Sequence, residues 1–160
     1  MEGYLKGVKN ISRFMNAIAG IGLTFIMLLT TLDVILRLFK NPIVGTYELV
    51  AFTGGIIIGF AVPMTSFSRA HVYVDFLVQR FPEGRRDVVN IFTRLIVIAF
   101  FIIASVNLFK HGWYLYSTNE VSPTLQLPFY PVVFGIAVAC VLECFVMIAD
   151  IVKIVGGKYE

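Results

Sequence analysis

Glu143 lies inside an apolar run, Phe129–Val152, where a charged side chain is costly. Two roles suit a carboxyl at that position. It can hold a proton or an ion, or it can be a protonated acid hydrogen-bonded to a neighbouring helix. A coupling site gathers companion carboxylates or a polar cluster. None stands near Glu143, so the second role is favoured. At ~1.5 Å per residue Glu143 is ~15 Å from Lys153, and an equal distance along the first apolar run reaches the neighbourhood of Thr24. Asp33 and Arg37 are spaced i, i+4, and Glu48 follows across a short connection. The three can form an Asp–Arg–Glu cluster that fixes that connection or an interface, a role that needs no catalysis. Asp150 can reach Lys153 or Arg94.

The remaining reactive types are sparse. Haem held between membrane helices needs axial ligands inside the bundle. The only histidines, His71 and His111, fall outside the apolar runs and on opposite sides of the membrane. Zinc lacks a His/Cys set at ligand spacing. Cys140 and Cys144, one turn apart on one helix, suit packing better than a disulfide. No Gly-rich phosphate loop and no nucleophile motif is present. No catalytic residue, cofactor or metal ligand is therefore assigned. His71, close to Arg69, suits a local hydrogen bond better than a pH switch.

These residues must be positioned by membrane helices. The composition is 58% hydrophobic and 14% charged. Four apolar runs, at about 14–38, 48–67, 91–109 and 129–152, are each long enough to cross a ~30 Å hydrocarbon core, and a spanning backbone must bond to itself. Lys6, Lys9, Arg13, Arg69, Arg80, Arg85, Arg86, Arg94, Lys153 and Lys158 fall on one side, and only Arg37, Lys40 and Lys110 on the other. The positive-inside rule then places both termini in the cytoplasm. The expected fold is an all-α integral membrane protein: one domain over residues 1–160, four transmembrane helices, and a short amphipathic cytoplasmic segment between helices 2 and 3. That segment carries Arg69, Asp75, Gln79, Arg80 and Glu83 on its polar side. Residues 1–13 read as a short interfacial helix with an apolar stripe of Tyr4, Leu5, Val8 and Ile11. The first apolar run is too long for a cleaved signal and is expected to be retained. The net charge of +3 follows from the topological arginines, and no basic stripe with interleaved aromatics points to nucleic acid.

Two further patterns mark contacts. Ala51, Gly55 and Gly59 recur every fourth residue on helix 2 and allow close approach of another helix, from this chain or from another protein. Trp113, Tyr114, Tyr116, Phe129 and Tyr130 form an aromatic belt around an outer loop, 117–128, which its prolines help to order.

The stretches Arg37-Leu-Phe-Lys-Asn-Pro, Gly45-Thr-Tyr-Glu-Leu, Arg69-Ala-His-Val-Tyr-Val-Asp75 and Ser122-Pro-Thr-Leu-Gln-Leu-Pro128 occur in this order across nearly the whole chain. Together they resemble the small membrane subunit of tripartite ATP-independent periplasmic (TRAP) transporters, the DctQ-like family. The resemblance implies a sodium-coupled symport system of the bacterial or archaeal inner membrane. A periplasmic substrate-binding protein captures an organic acid, and a large membrane subunit carries the substrate and sodium sites. The small subunit packs beside the large one as a scaffold among the membrane lipids. In that role Asp33, Arg37, Glu48, Gly55, Gly59, Arg69, His71, Asp75 and Glu143 are interface or structural residues. Two rivals stand beside this reading. One is an autonomous homo-oligomeric transporter using Glu143, and the other is the membrane anchor of a redox enzyme.

Overall fold

The computed structural model describes residues 2–68 and 83–155. Four helices make up the fold: α1 Glu2–Leu38, α2 Thr46–Phe67, α3 Glu83–Thr118 and α4 Tyr130–Val155. All four are long and apolar enough to span a membrane. The amphipathic segment expected between helices 2 and 3, with Arg69, His71 and Asp75, lies outside the described residues.

The N-terminal residues do not form a separate helix. They continue into the first span as one 37-residue helix, because nothing between Gly7 and Phe14 breaks the backbone hydrogen-bond ladder. Its buried face is Val8, Ser12, Met15 and Ala19, an i, i+4, i+7, i+11 stripe. Of the expected stripe Val8 is buried, whereas Tyr4 and Ile11 are exposed. Helix α3 also starts earlier than its apolar run, at Glu83.

The bundle is two hairpins side by side. α1 packs on α2 and α3 on α4, and the hairpins join chiefly through α2 against α4. A third of the apolar window of α4 is buried, against 11% in each of the other helices, so α4 is the central post. Pro63 sits inside α2 and is fully buried. It removes one ladder bond, which the surrounding helices tolerate.

The small residues of α2 face inward. A Cβ added at Gly59 would lie 3.2 Å from Ile136 Cγ1, and one at Gly55 would lie 3.5 Å from Ile136 Cδ1 and 3.6 Å from Val132 Cγ1. The row is thus the seam between α2 and α4, and Ala51 at its outer end is exposed. Gly22 of α1 makes the matching approach to Thr53 and Ile57 on α2. Leucine at Gly59 should therefore destabilise the chain itself by about 1–3 kcal/mol through overpacking. Gly55→Ala meets only ordinary contact and should be neutral or stabilising by up to ~1 kcal/mol. Unfolding of the two variants in mixed detergent micelles reads the difference.

Candidate functional site at the hairpin end

Among the described residues three charged groups brace the molecule, and two stand at the end of the bundle away from the chain termini. Asn41-Pro42 cannot continue α1, and Lys40 turns the chain at φ 59°. The connection folds back onto the last turns of α1. Asp33, almost fully buried, accepts the Ile43 N–H on Oδ1 at 2.9 Å. Its Oδ2 takes Arg37 Nε at 2.8 Å and Nη2 at 2.7 Å. Thr46 at the start of α2 donates its hydroxyl to the Ile43 carbonyl at 3.0 Å. Asp33 therefore ties the end of α1 to the turn, and Thr46 ties the turn to the start of α2.

Gly45, at φ 81°, is the N-cap of α2. Only glycine adopts that backbone without strain, and Leu125 lies over it so closely that a Cβ would sit 2.4 Å from Leu125 Cγ. The loop after α3 is thereby laid across the start of α2, where it meets Glu48. Glu48 Oε2 accepts the Ser122 hydroxyl at 2.7 Å and the Leu125 N–H at 2.8 Å, while Oε1 accepts the Thr124 N–H at 2.7 Å. The loop closes on itself around this anchor. Ser122 N donates to the Leu127 carbonyl at 2.9 Å, and Leu127 N donates to Ser122 Oγ at 3.1 Å. Val121 pairs with Pro128, and Gln126 turns at φ 53°. Phe52 of α2 stacks on Phe129 at 5.0 Å beneath the loop. A ring of donors around one carboxylate is an anion-binding concavity, here filled by the chain's own acid.

The expected Asp33–Arg37–Glu48 cluster thus separates into two. Asp33 keeps Arg37, and Glu48 turns to the loop because three donors there outcompete a half-exposed guanidinium already engaged by Asp33. Sequence reasoning placed Glu48 correctly at the start of helix 2 but missed its partners. Ser122-Pro123-Thr124 was the available signal: a hydroxyl and an N–H flank a proline that orders the turn.

At the other end of the bundle Arg94 of α3 donates from Nε to Asp150 Oδ2 of α4 at 2.6 Å, both side chains being buried. Arg94 Nη1 also donates to the Asn90 carbonyl at 3.1 Å. Of the two partners expected for Asp150, Arg94 is in contact.

Glu143 of α4 is 1% exposed. The Ser66 side chain at the end of α2 lies beside its carboxyl, and Oε2 has no hydrogen-bond partner. The buried Ser12 hydroxyl on α1 has none either. The depth expected from counting along α1 needs correction. Tyr4 Oη donates to the Phe145 carbonyl at 3.0 Å, so α1 passes this level of α4 near its own start, whereas Thr24 is ~30 Å further along. The count failed because α1 runs far beyond its apolar run at the terminal end. Thr24 bonds within its own helix, to the Gly20 carbonyl. Among the described residues no three His, Cys, Asp or Glu side chains gather where they could hold a metal ion.

A family model for the DctQ component of tripartite ATP-independent periplasmic transporters matches residues 26–157. The chain belongs to this family. No curated protein and no solved structure matches it. The DctQ match takes in Asp33, Arg37, Glu48, Arg94, Glu143 and Asp150, while Tyr4 and Ser12 precede it. A DctQ component is a part of a transporter and not a member of an enzyme family, and its place in a tripartite system implies partners. The four spans agree with a multi-pass membrane location.

Proposed function

We propose that this DctQ chain is the static scaffold subunit of a sodium-coupled TRAP transporter for an organic acid in the inner membrane. It supports the large transport subunit and carries no substrate site of its own. In this reading its termini face the cytoplasm, which the Lys/Arg bias supports, and its hairpin end faces the periplasm, toward the substrate-binding protein. The observation that carries this reading is the use of its ionic groups. Asp33 with the Ile43 N–H, Glu48 with the 122–125 turn, and Arg94–Asp150 each hold two elements in register. Rigid cross-bracing at both ends suits a support that stays still while a partner moves. The expected result is that the chain co-purifies with the large subunit, and that neither protein reconstituted alone with the binding protein transports. Transport by the large subunit without this chain would overturn the proposal.

One observation favours the rival reading of an autonomous ion-coupled transporter: Glu143 is buried with an oxygen that no group satisfies. The two readings separate on Glu143→Gln, which keeps a hydrogen-bonding amide for Ser66 and removes the titratable proton. As a scaffold the variant should assemble and transport within about twofold of the parent, because a neutral isostere preserves the contact. Intact assembly with sodium or proton coupling abolished would establish Glu143 as a coupling acid.

A further inference from the structure

A cleft of about 320 Å³ between α1 and α2 at the hairpin end is lined by Thr30, Asp33, Val34, Arg37, Thr46, Tyr47 and Val50. The lining is graded along the helix axis. Inward of Arg37 the wall is formed by Val34, Val50 and Thr30, whose hydroxyl already donates to the Ile26 carbonyl at 2.8 Å, while Asp33, at the level of Val34, is almost fully buried. Toward the surface lies Arg37. Its side chain is 52% exposed, and only Nε and one Nη2 N–H are engaged by Asp33. A guanidinium has five N–H donors, so three remain on a group whose position is already fixed by its ion pair. The Asp33 carboxylate is almost fully buried and already accepts the Ile43 N–H on Oδ1 and Arg37 on Oδ2. Lys40 stands exposed one turn further out. Basic residues are scarce on this side of the chain, yet two of its three are at this one place. Asp33 balances one of these two charges, so Lys40 leaves the mouth of the cleft with a cation that the ion pair does not neutralise.

We infer that this cleft binds one glycerophospholipid of the leaflet at the hairpin end. Its phosphate sits on Arg37, with Lys40 as the second cation, and an acyl chain lies along Val34, Thr30 and Val50. Order selects the occupant: an anion at the surface end and an apolar tail toward the bilayer centre make an amphiphile oriented as a lipid is in that leaflet. A protein carboxylate would satisfy Arg37 but not the graded wall beneath it. The planar fork of Arg37 suits two phosphate oxygens at once. Bound there, the lipid would fill the gap between α1 and α2 and present its second chain to whatever packs on that side.

The test is native mass spectrometry of the full chain, extracted from membranes in mild detergent with the partners that co-purify, then washed free of loosely held lipid. Vesicles of phosphatidylethanolamine and phosphatidylglycerol are used for add-back. One phospholipid mass per chain should persist. Arg37→Gln should reduce its retention about tenfold or more, the worth of a charge-assisted pair of hydrogen bonds. Because Arg37→Gln also disturbs Asp33, Val34→Trp serves as the second variant. It fills the wall of the cleft, leaves the ion pair in place and should cause a comparable loss. Inorganic phosphate should not displace the adduct, and diacylglycerol should not replace it. The inference is overturned if retention is unchanged in both variants, if phosphate alone displaces the lipid, or if diacylglycerol binds equally well. It is also overturned if the variants shed a co-purifying protein while the lipid count stays the same.

Discussion

Glu48→Gln will free the outer loop while leaving the four helices in place. The carboxylate accepts three hydrogen bonds through two oxygens, from Ser122 Oγ, Thr124 N and Leu125 N. An amide has one acceptor oxygen, and its NH2 would point a donor at a donor. At least one backbone N–H of the turn then loses its partner, and the ring around Ser122 opens. Amide exchange at Thr124 and Leu125 should accelerate by about tenfold or more, with exchange in α4 unchanged. If the proposed scaffold reading holds, transport should fall in proportion while co-purification with the large subunit is retained. The loop lies at the periplasmic end in that reading, and it would then present a moving surface to the binding protein. Glu48→Asp, one methylene shorter, should recover part of the protection. Unchanged exchange at both positions would show that Leu125 over Gly45, and not the carboxylate, holds the loop.

The second large effect is expected at the opposite end. Arg94→Leu removes the guanidinium from a buried pair and leaves Asp150 in a site that is 7% exposed. Breaking such a pair from one side costs about 3–5 kcal/mol, whereas replacing both members by apolar groups is often neutral or better. The expected pattern is strong destabilisation for Arg94→Leu, similar destabilisation for Asp150→Leu, and recovery of most of the stability in the double variant. Thermal unfolding of the three proteins in one detergent measures it. Additive losses in the double variant would show that each residue acts through other contacts. Loss of the pair loosens α3 from α4, and α4 is the central post, so the single variants should also assemble poorly.

The sequence by itself determined that four helices form and where their apolar spans lie, but not that α1 begins at Glu2 or α3 at Glu83. It also set the side on which positive charge accumulates, and placed the acids and bases at helix ends. Those features follow from hydrocarbon thickness, backbone hydrogen bonding and charge burial, each of which acts along the chain without reference to neighbours. The order of motifs was enough to resemble the DctQ family, and the family match bears that out. Tertiary structure decided what pairs with what. The Ala51–Gly55–Gly59 row marked an interface in the sequence, but only Ile136 and Val132 against it showed that α4 is the partner. Asp33, Arg37 and Glu48 looked like one cluster because they are close along the chain. Glu48 instead meets a turn more than seventy residues away, a contact no local spacing records. The level of Glu143 relative to α1 likewise depends on how far one helix slides along another. Side-chain packing sets that sliding, and hydrophobicity counted along one chain does not.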